Sequence, residues 1–211
     1  GVPLLVRTLA LRLALLLTTW VATSKGDAAL AAHQVVFSIW NLLALTLDAI
    51  AIAAQAMTGR ALGASDVAGV RAATALMVRW GLGVGVGLGV VLLAVRGWLG
   101  PLFVDDPQVW QAMGVALVVA ALMQPLAGYV FVLDGVLIGA GDGRYLAVAG
   151  VVQVLLYAPA AVAVAVFAPS GAVGLAWLWA SFGVVYMAAR AVFLGLRARG
   201  TAWLVTGASR G

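Results

Sequence analysis

The sequence predicts an all-α integral membrane fold built from six transmembrane helices. Three observations carry this. The chain of 211 residues is 65% hydrophobic and only 9% charged, with a mean hydropathy of +1.14, whereas soluble domains carry about 25% charged residues. Six apolar segments each reach the roughly 20 residues that a bilayer-crossing helix needs. With six spans and both termini on one side, ten of the twelve Lys and Arg residues fall on that side, which predicts that both termini are cytoplasmic.

The predicted spans are Leu4–Ala22, Ala32–Thr58, Ala72–Val95, Val109–Gly139, Leu146–Ala168 and Ala172–Leu194, with residues 200–211 as a cytoplasmic tail. The breaks between them hold turn chemistry: Ser24-Lys25-Gly26-Asp27, Gly63-Ala64-Ser65-Asp66, Asp105-Asp106-Pro107, Gly141-Asp142-Gly143 and Pro169-Ser170-Gly171. Asp106 followed by Pro107 reads as an N-cap with proline at the first helical position, so it starts the fourth helix. The second and fourth spans are longer than a bilayer needs, which implies tilt, a kink or a protruding turn. Trp20, Trp98, Trp110 and Trp177 fall near predicted outer ends, as interfacial tryptophans do.

In the third span, Gly81, Gly83, Gly85, Gly87 and Gly89 alternate. The spans are too long and too continuously apolar for barrel strands. On a helix, Gly81/Gly85/Gly89 make one ridge and Gly83/Gly87 another, each able to admit a neighbouring backbone.

Two acids lie inside spans, Asp48 in the second and Asp134 in the fourth. Asp48 is the only formally charged residue between Asp27 and Arg60. Gln34, Asn41, Asp48 and Gln55 are spaced seven apart, nearly two helical turns, so they share one face. Such a stripe faces a protein interior or a cleft rather than lipid. An intramembrane carboxylate is costly and marks a functional site by default. A carboxylate whose water shell is stripped and restored as access alternates is suited to taking up and releasing a proton. Asp48 and Asp134 are therefore the expected ion-coupling residues, with Arg144 able to partner Asp134.

Pro125 and Pro159 each free a backbone carbonyl inside a span, as is tolerated beside a neighbour or a cavity. Gln124 and the pair Gln153 and Tyr157 place polar groups near them, and join the stripe as expected cleft-lining residues. His33, the only histidine, is expected to cap the outer end of the second span. It can form no histidine-pair metal site, and the absence of cysteine excludes thiolate chemistry. The arginines are spread over short loops, which argues against a nucleic-acid partner.

A membrane-embedded enzyme is the rival class. A prenyltransferase-type site needs two aspartate-rich clusters holding magnesium, and Asp105-Asp106 has no partner cluster. A serine protease needs histidine within reach of its serine, and His33 lies at the wrong depth. Residues 205–211, Val-Thr-Gly-Ala-Ser-Arg-Gly, look like the start of a nucleotide-binding fold but lack the domain that must follow. No signal peptide is visible ahead of the first span. The chain begins at Gly1 without methionine, so the expectation is a fragment whose N-terminal part is missing. Abundant Ala, Val, Leu, Gly and Arg hint at a GC-rich bacterial genome.

Several stretches together carry a family pattern: Ala31-Ala32-His33-Gln34, then Gly59-Arg60-Ala61-Leu62-Gly63-Ala64-Ser65-Asp66, then Gly135-Val136-Leu137-Ile138-Gly139-Ala140-Gly141-Asp142-Gly143-Arg144. Their order and spacing resemble the C-terminal half of the multidrug and toxic compound extrusion (MATE) transporters, specifically the DNA-damage-inducible protein F (DinF) branch. The resemblance implies one six-helix lobe of a twelve-helix transporter, with the N-terminal lobe as its missing partner. It implies export of cationic or amphipathic compounds by alternating access, with protons or sodium ions as coupling ions and no cofactor. The implied setting is the bacterial cytoplasmic membrane. A flippase for a lipid-linked substrate is the near alternative. Asp134 matches an acid of the sodium-coupled branch. That branch has a tyrosine one turn earlier, where this chain has Val130 with Tyr129 one position off. It also has a glutamate on the first helix of this lobe, where this chain has no acid. The resemblance thus favours protons over sodium, and Tyr129 joins the expected cleft lining.

Overall fold

The computed structural model describes residues 1–207, and their regular structure is helical throughout. The elements are α1 (Val2–Thr23), α2 (Asp27–Gly63), α3 (Val67–Phe103), α4 (Pro107–Leu122), α5 (Gln124–Gly139), α6 (Gly143–Phe167), α7 (Ala172–Ser181), a π-helical turn (Phe182–Met187) and α8 (Ala188–Arg199). Five helical stretches are long and apolar enough to cross a bilayer, and α4 with α5 makes a sixth span bent by 50°.

The expected turn chemistry sets the ends. The Asp66 carboxylate accepts from the Gly69 amide at 2.9 Å, and Asp106 accepts from the Gln108 amide at 3.0 Å with Pro107 opening α4. Lys25 is buried between α1 and α2, where its ammonium donates to the Ala168 carbonyl at 2.8 Å and to Ala165 at 3.3 Å. It thereby closes the C-terminal end of α6, where the last carbonyls of a helix lack amide partners.

At 37 residues each, α2 and α3 run about 55 Å and project beyond a hydrocarbon core of about 30 Å. The α3 helix therefore extends well past the expected Ala72–Val95. The long fourth span resolves into a bend at Met123. Pro125 has no amide to donate to Ala121, so the helix can turn there without breaking a bond.

Glycine decides how closely α5 sits between α2 and α3. Gly81, Gly85 and Gly89 are buried against the carbonyls of Gly128, Gln124 and Ala121. On the other side, Gly135 and Gly139 of α5 lie against the α2 carbonyls of Ala51 and Gln55. A side chain at any of these positions would meet main chain rather than a yielding side chain. The second expected ridge is different: Gly83 and Gly87 are exposed and face open space.

Residues 200–207 do not trail away as a free tail. Trp203 is fully buried, its indole N–H lies 3.1 Å from the Gly200 carbonyl, and the Arg71 guanidinium stacks over its ring at 5.7 Å. Arg71 also donates to the Ala198 and Gly200 carbonyls at 2.8 and 2.9 Å. The Gly207 amide donates to Leu62 at 3.0 Å, tying the segment to the end of α2. The last four residues of the nucleotide-like motif, 208–211, lie outside the described residues.

The glycine contacts make a sharp expectation for thermal unfolding in detergent. A Cβ at position 85 would stand 2.7 Å from the Pro125 Cα and closer still to the Gln124 carbonyl oxygen, so Gly85→Ala should cost about 1–3 kcal/mol. Gly83→Ala should be neutral or stabilising by up to about 1 kcal/mol, since alanine is the better helix former.

Candidate functional site

The described helices leave a groove of about 350 Å³, open on one side and walled by α1, α2, α5, the π turn and the start of α8. Its floor carries an ion cluster. Asp134, 8% exposed, takes the fork of Arg7: Nε donates to Oδ1 at 3.0 Å, and Nη2 donates to Oδ2. Arg190, 7% exposed, holds Nη2 at 3.8 Å from Asp134 Oδ1. Three separate elements, α1, α5 and α8, thus meet at one carboxylate. The bidentate pair suits guanidinium and carboxylate, which match in shape as well as charge.

The expected partner of Asp134, Arg144, stands exposed in the first turn of α6 instead. Arg7 and Arg190 take its place. Neither is counted among the expected site residues, although a signal exists: both lie inside predicted spans rather than in loops. An arginine within an apolar span needs a counter-charge as much as an aspartate does.

Asp48, Asn41 and Gln55 line the α2 wall of this groove. They are exposed, and Asp48 makes no hydrogen bond or ion pair among the described residues. Gln34 is exposed but lies outside the lining. The cause is geometric: a seven-residue repeat on a straight helix drifts by about 20° per step, so three steps carry Gln34 about 60° from Gln55.

The other expected lining residues sit elsewhere. Gln124 is buried at the bend, where its side-chain amide donates to the Ala120 carbonyl at 3.1 Å. Tyr129 is half-buried with its hydroxyl against Gly195 of α8. Gln153 is buried on α6 behind the ion cluster, where it shares a small internal cavity with Arg7, Asp134 and Arg190. Tyr157 is fully buried, its hydroxyl 2.6 Å from Thr18 Oγ1. The Thr18 proton is spent on the Ala14 carbonyl at 2.8 Å, so Tyr157 donates and Thr18 accepts. Prolines and polar neighbours along a sequence do not reveal which side of a helix they occupy: Gln124, Tyr129 and Tyr157 face packed neighbours, and Gln153 faces the small cavity behind the ion cluster and not the groove.

His33 is likewise no cap. It is 1% exposed and accepts the Trp179 indole N–H on Nδ1 at 3.2 Å, with Nε2 3.1 Å from Thr19 Oγ1. Because Nδ1 accepts, the neutral ring carries its proton on Nε2 and donates to Thr19. Trp179 continues into Trp40, Phe182, Tyr157 and Tyr186, ring beside ring at 5.4–6.0 Å. Trp40, Phe182 and Tyr186 from this group face the groove.

Residues 3–163 match the MatE family model. The chain belongs to the MatE family. That family comprises transporters, not enzymes. Among curated relatives, the MatE chain is 28% identical over 191 residues to Protein DETOXIFICATION 45, chloroplastic, of Arabidopsis thaliana, covering 90% of this chain and 32% of the relative. It is 31% identical over 192 residues to Protein DETOXIFICATION 44, chloroplastic, of the same plant, covering 91% and 36%. In fold it is similar to a MOP superfamily transporter from Pyrococcus furiosus, with a TM-score of 0.84 at 17% identity, covering 99% of this chain and 46% of that one. A MATE structure in the bent conformation gives a TM-score of 0.84 at 18% identity, covering 100% and 46%. The MatE chain therefore spans about a third of these curated relatives and just under half of these solved chains.

Removing Asp134 from this MatE groove leaves the buried guanidinium of Arg190 and the half-buried one of Arg7 without their counter-charge. Asp134→Asn is expected to cost about 3–5 kcal/mol in unfolding free energy. In a double-mutant cycle, Arg7→Met and Asp134→Asn should couple by roughly 2 kcal/mol, while Arg144→Ala stays within about 0.5 kcal/mol of the parent.

Proposed function

We propose that this MatE chain works as one six-helix lobe of a secondary active exporter, in which a second lobe faces the groove and the two alternate access to it. The single observation that carries this is the groove itself. Asn41, Asp48 and Gln55 stand exposed on a helix otherwise fit for hydrocarbon, and such a surface requires water or a polar partner across it. The share of the solved transporters that the chain covers, 46%, supports a lobe of similar size opposite. By this proposal the membrane is a bacterial cytoplasmic membrane, with the arginine-rich ends of the helices in the cytoplasm.

The coupling ion in this proposal is the proton, bound at Asp48. Both Asp134 oxygens already accept from Arg7, so a sodium ion there would have to displace a tethered cation. Asp48 has no such partner among the described residues and opens on the groove. Asp134 then serves coupling indirectly, by holding Arg7 and Arg190 in place. Export of cationic or amphipathic compounds fits a wall that combines a free carboxylate with Trp40 and Phe182.

The test is proton-driven efflux by the encoded full-length protein in proteoliposomes. Asp48→Asn should lower it by roughly two orders of magnitude, and exchanging sodium for potassium should leave the parent unchanged. Unaltered coupling in the Asp48→Asn/Asp134→Asn double variant would remove both acids from the mechanism.

A further inference from the structure

Among the described residues, the guanidinium of Arg190 and the hydroxyl of Tyr186 stand on the groove wall without a hydrogen-bond partner. Arg7 is held by Asp134 through Nε and Nη2, whereas Arg190 is held by no hydrogen bond among the described residues. Among the described residues its nearest acidic partner is Asp134 at 3.8 Å, beyond hydrogen-bond reach, and no hydrogen bond engages its guanidinium. One helical turn earlier, the Tyr186 hydroxyl is buried with no hydrogen-bond partner, and the residue is 2% exposed. Both side chains line the groove.

A buried polar group left unpaired is costly, and such groups in a native protein point to an unseen partner. Arg190 can only donate, and the Tyr186 hydroxyl can donate beside it, so one partner shared by both must accept. Its charge follows from the balance in the groove. Arg7 and Asp134 cancel, leaving Arg190 as a net positive group on the α8 wall and Asp48 as a net negative group on the α2 wall. A singly charged oxyanion matches one guanidinium plus one hydroxyl. A phosphate dianion would want a second cation, and Arg7 is committed elsewhere. Trp40 and Phe182 beside them offer faces for an apolar or aromatic body.

We propose that Arg190 and Tyr186 form a carboxylate-binding subsite in the groove. It rests on the exporter proposal in one respect only: the carboxylate belongs to the exported compound, whose basic or protonated end meets Asp48. The subsite makes the groove selective for amphipathic compounds that carry a carboxylate, including zwitterions, over simple cations.

The experiment compares benzoate with its neutral isostere benzamide, by calorimetric binding to the full-length protein in phosphatidylcholine nanodiscs. Benzoate should bind at least roughly tenfold tighter than benzamide. Arg190→Gln should bring the ratio near one, and Tyr186→Phe should lower benzoate affinity by roughly threefold with little effect on benzamide. A benzoate-to-benzamide ratio near one in the parent protein, or no binding of either, overturns the subsite. So does a ratio that Arg190→Gln leaves unchanged. The parent comparison and Tyr186→Phe, which deletes a single oxygen, keep the test decisive if Arg190→Gln does not fold. Binding is read without transport, so the two proposals fail separately. A high ratio with coupling indifferent to Asp48→Asn removes only the exporter mechanism, and a ratio of one with coupling lost removes only the subsite.

Discussion

The fork of Arg7 on Asp134 is the interaction on which the groove depends. In hydrocarbon neither charge is tolerable alone, and each is supplied by a different helix. The pair therefore ties α1 to α5 wherever those helices would otherwise slide on featureless alanine and leucine. Arg190 brings α8 to the same point. The consequence is positional more than energetic: a buried ion pair adds little stability over a well-packed apolar core, but it admits very few alternative registers.

The second constraint is steric. With little hydrophobic drive between helices in lipid, association rests on close packing. Gly81, Gly85 and Gly89 on α3, with Gly135 and Gly139 on α5, let main chain meet main chain on both sides of α5. The bend at Met123 lets α4 and α5, both packed on α2 and α3, diverge to α7 and α8. Asp134 sits below that bend, on the half of the span that α2 and α3 grip most closely, so the carboxylate is held by a rigid rod and not by a loop.

Much of this was legible beforehand, and the reason differs by feature. Span number, turn positions and the start at Asp106-Pro107 follow from hydropathy and local backbone chemistry, which act over a few residues. The α2 stripe was legible because periodicity reports a face, and Asn41, Asp48 and Gln55 do share the groove wall. What periodicity omits is the drift that takes Gln34 out of it. The pairing of Asp134 was not legible, because it depends on which helices become neighbours. Arg144 is near in sequence, while Arg7 is 127 positions away. Gln124, Tyr129, Gln153 and Tyr157 were misplaced for a related reason. A lone polar residue in a span can place its donor on a carbonyl one turn back, as Gln124 does, or on a hydroxyl across an interface, as Tyr157 does, and neither requires a cleft.

The π turn at Phe182–Met187 was also unforeseen, yet its physical logic is written in the sequence. Leu178, Phe182, Tyr186, Arg190 and Leu194 are all buried, with exposures of 0, 4, 2, 7 and 2%. They are spaced strictly by four. On a regular α-helix a four-residue step overshoots one turn by about 40°, so the four steps from Leu178 to Leu194 would accumulate about 160° and carry the last residues to the opposite face. The wider π turn absorbs part of that drift. It lets one continuous helix present Trp179 and Phe182 to the aromatic group and still deliver Tyr186 and Arg190 to the groove. A straight helix through the same positions would have to point Arg190 away from Asp134, and a buried guanidinium facing lipid is a far larger penalty than one irregular turn. The irregular turn is therefore the cheaper way to bring α8 to the ion cluster, and a strict four-residue spacing of buried residues is the sequence mark by which it can be recognised.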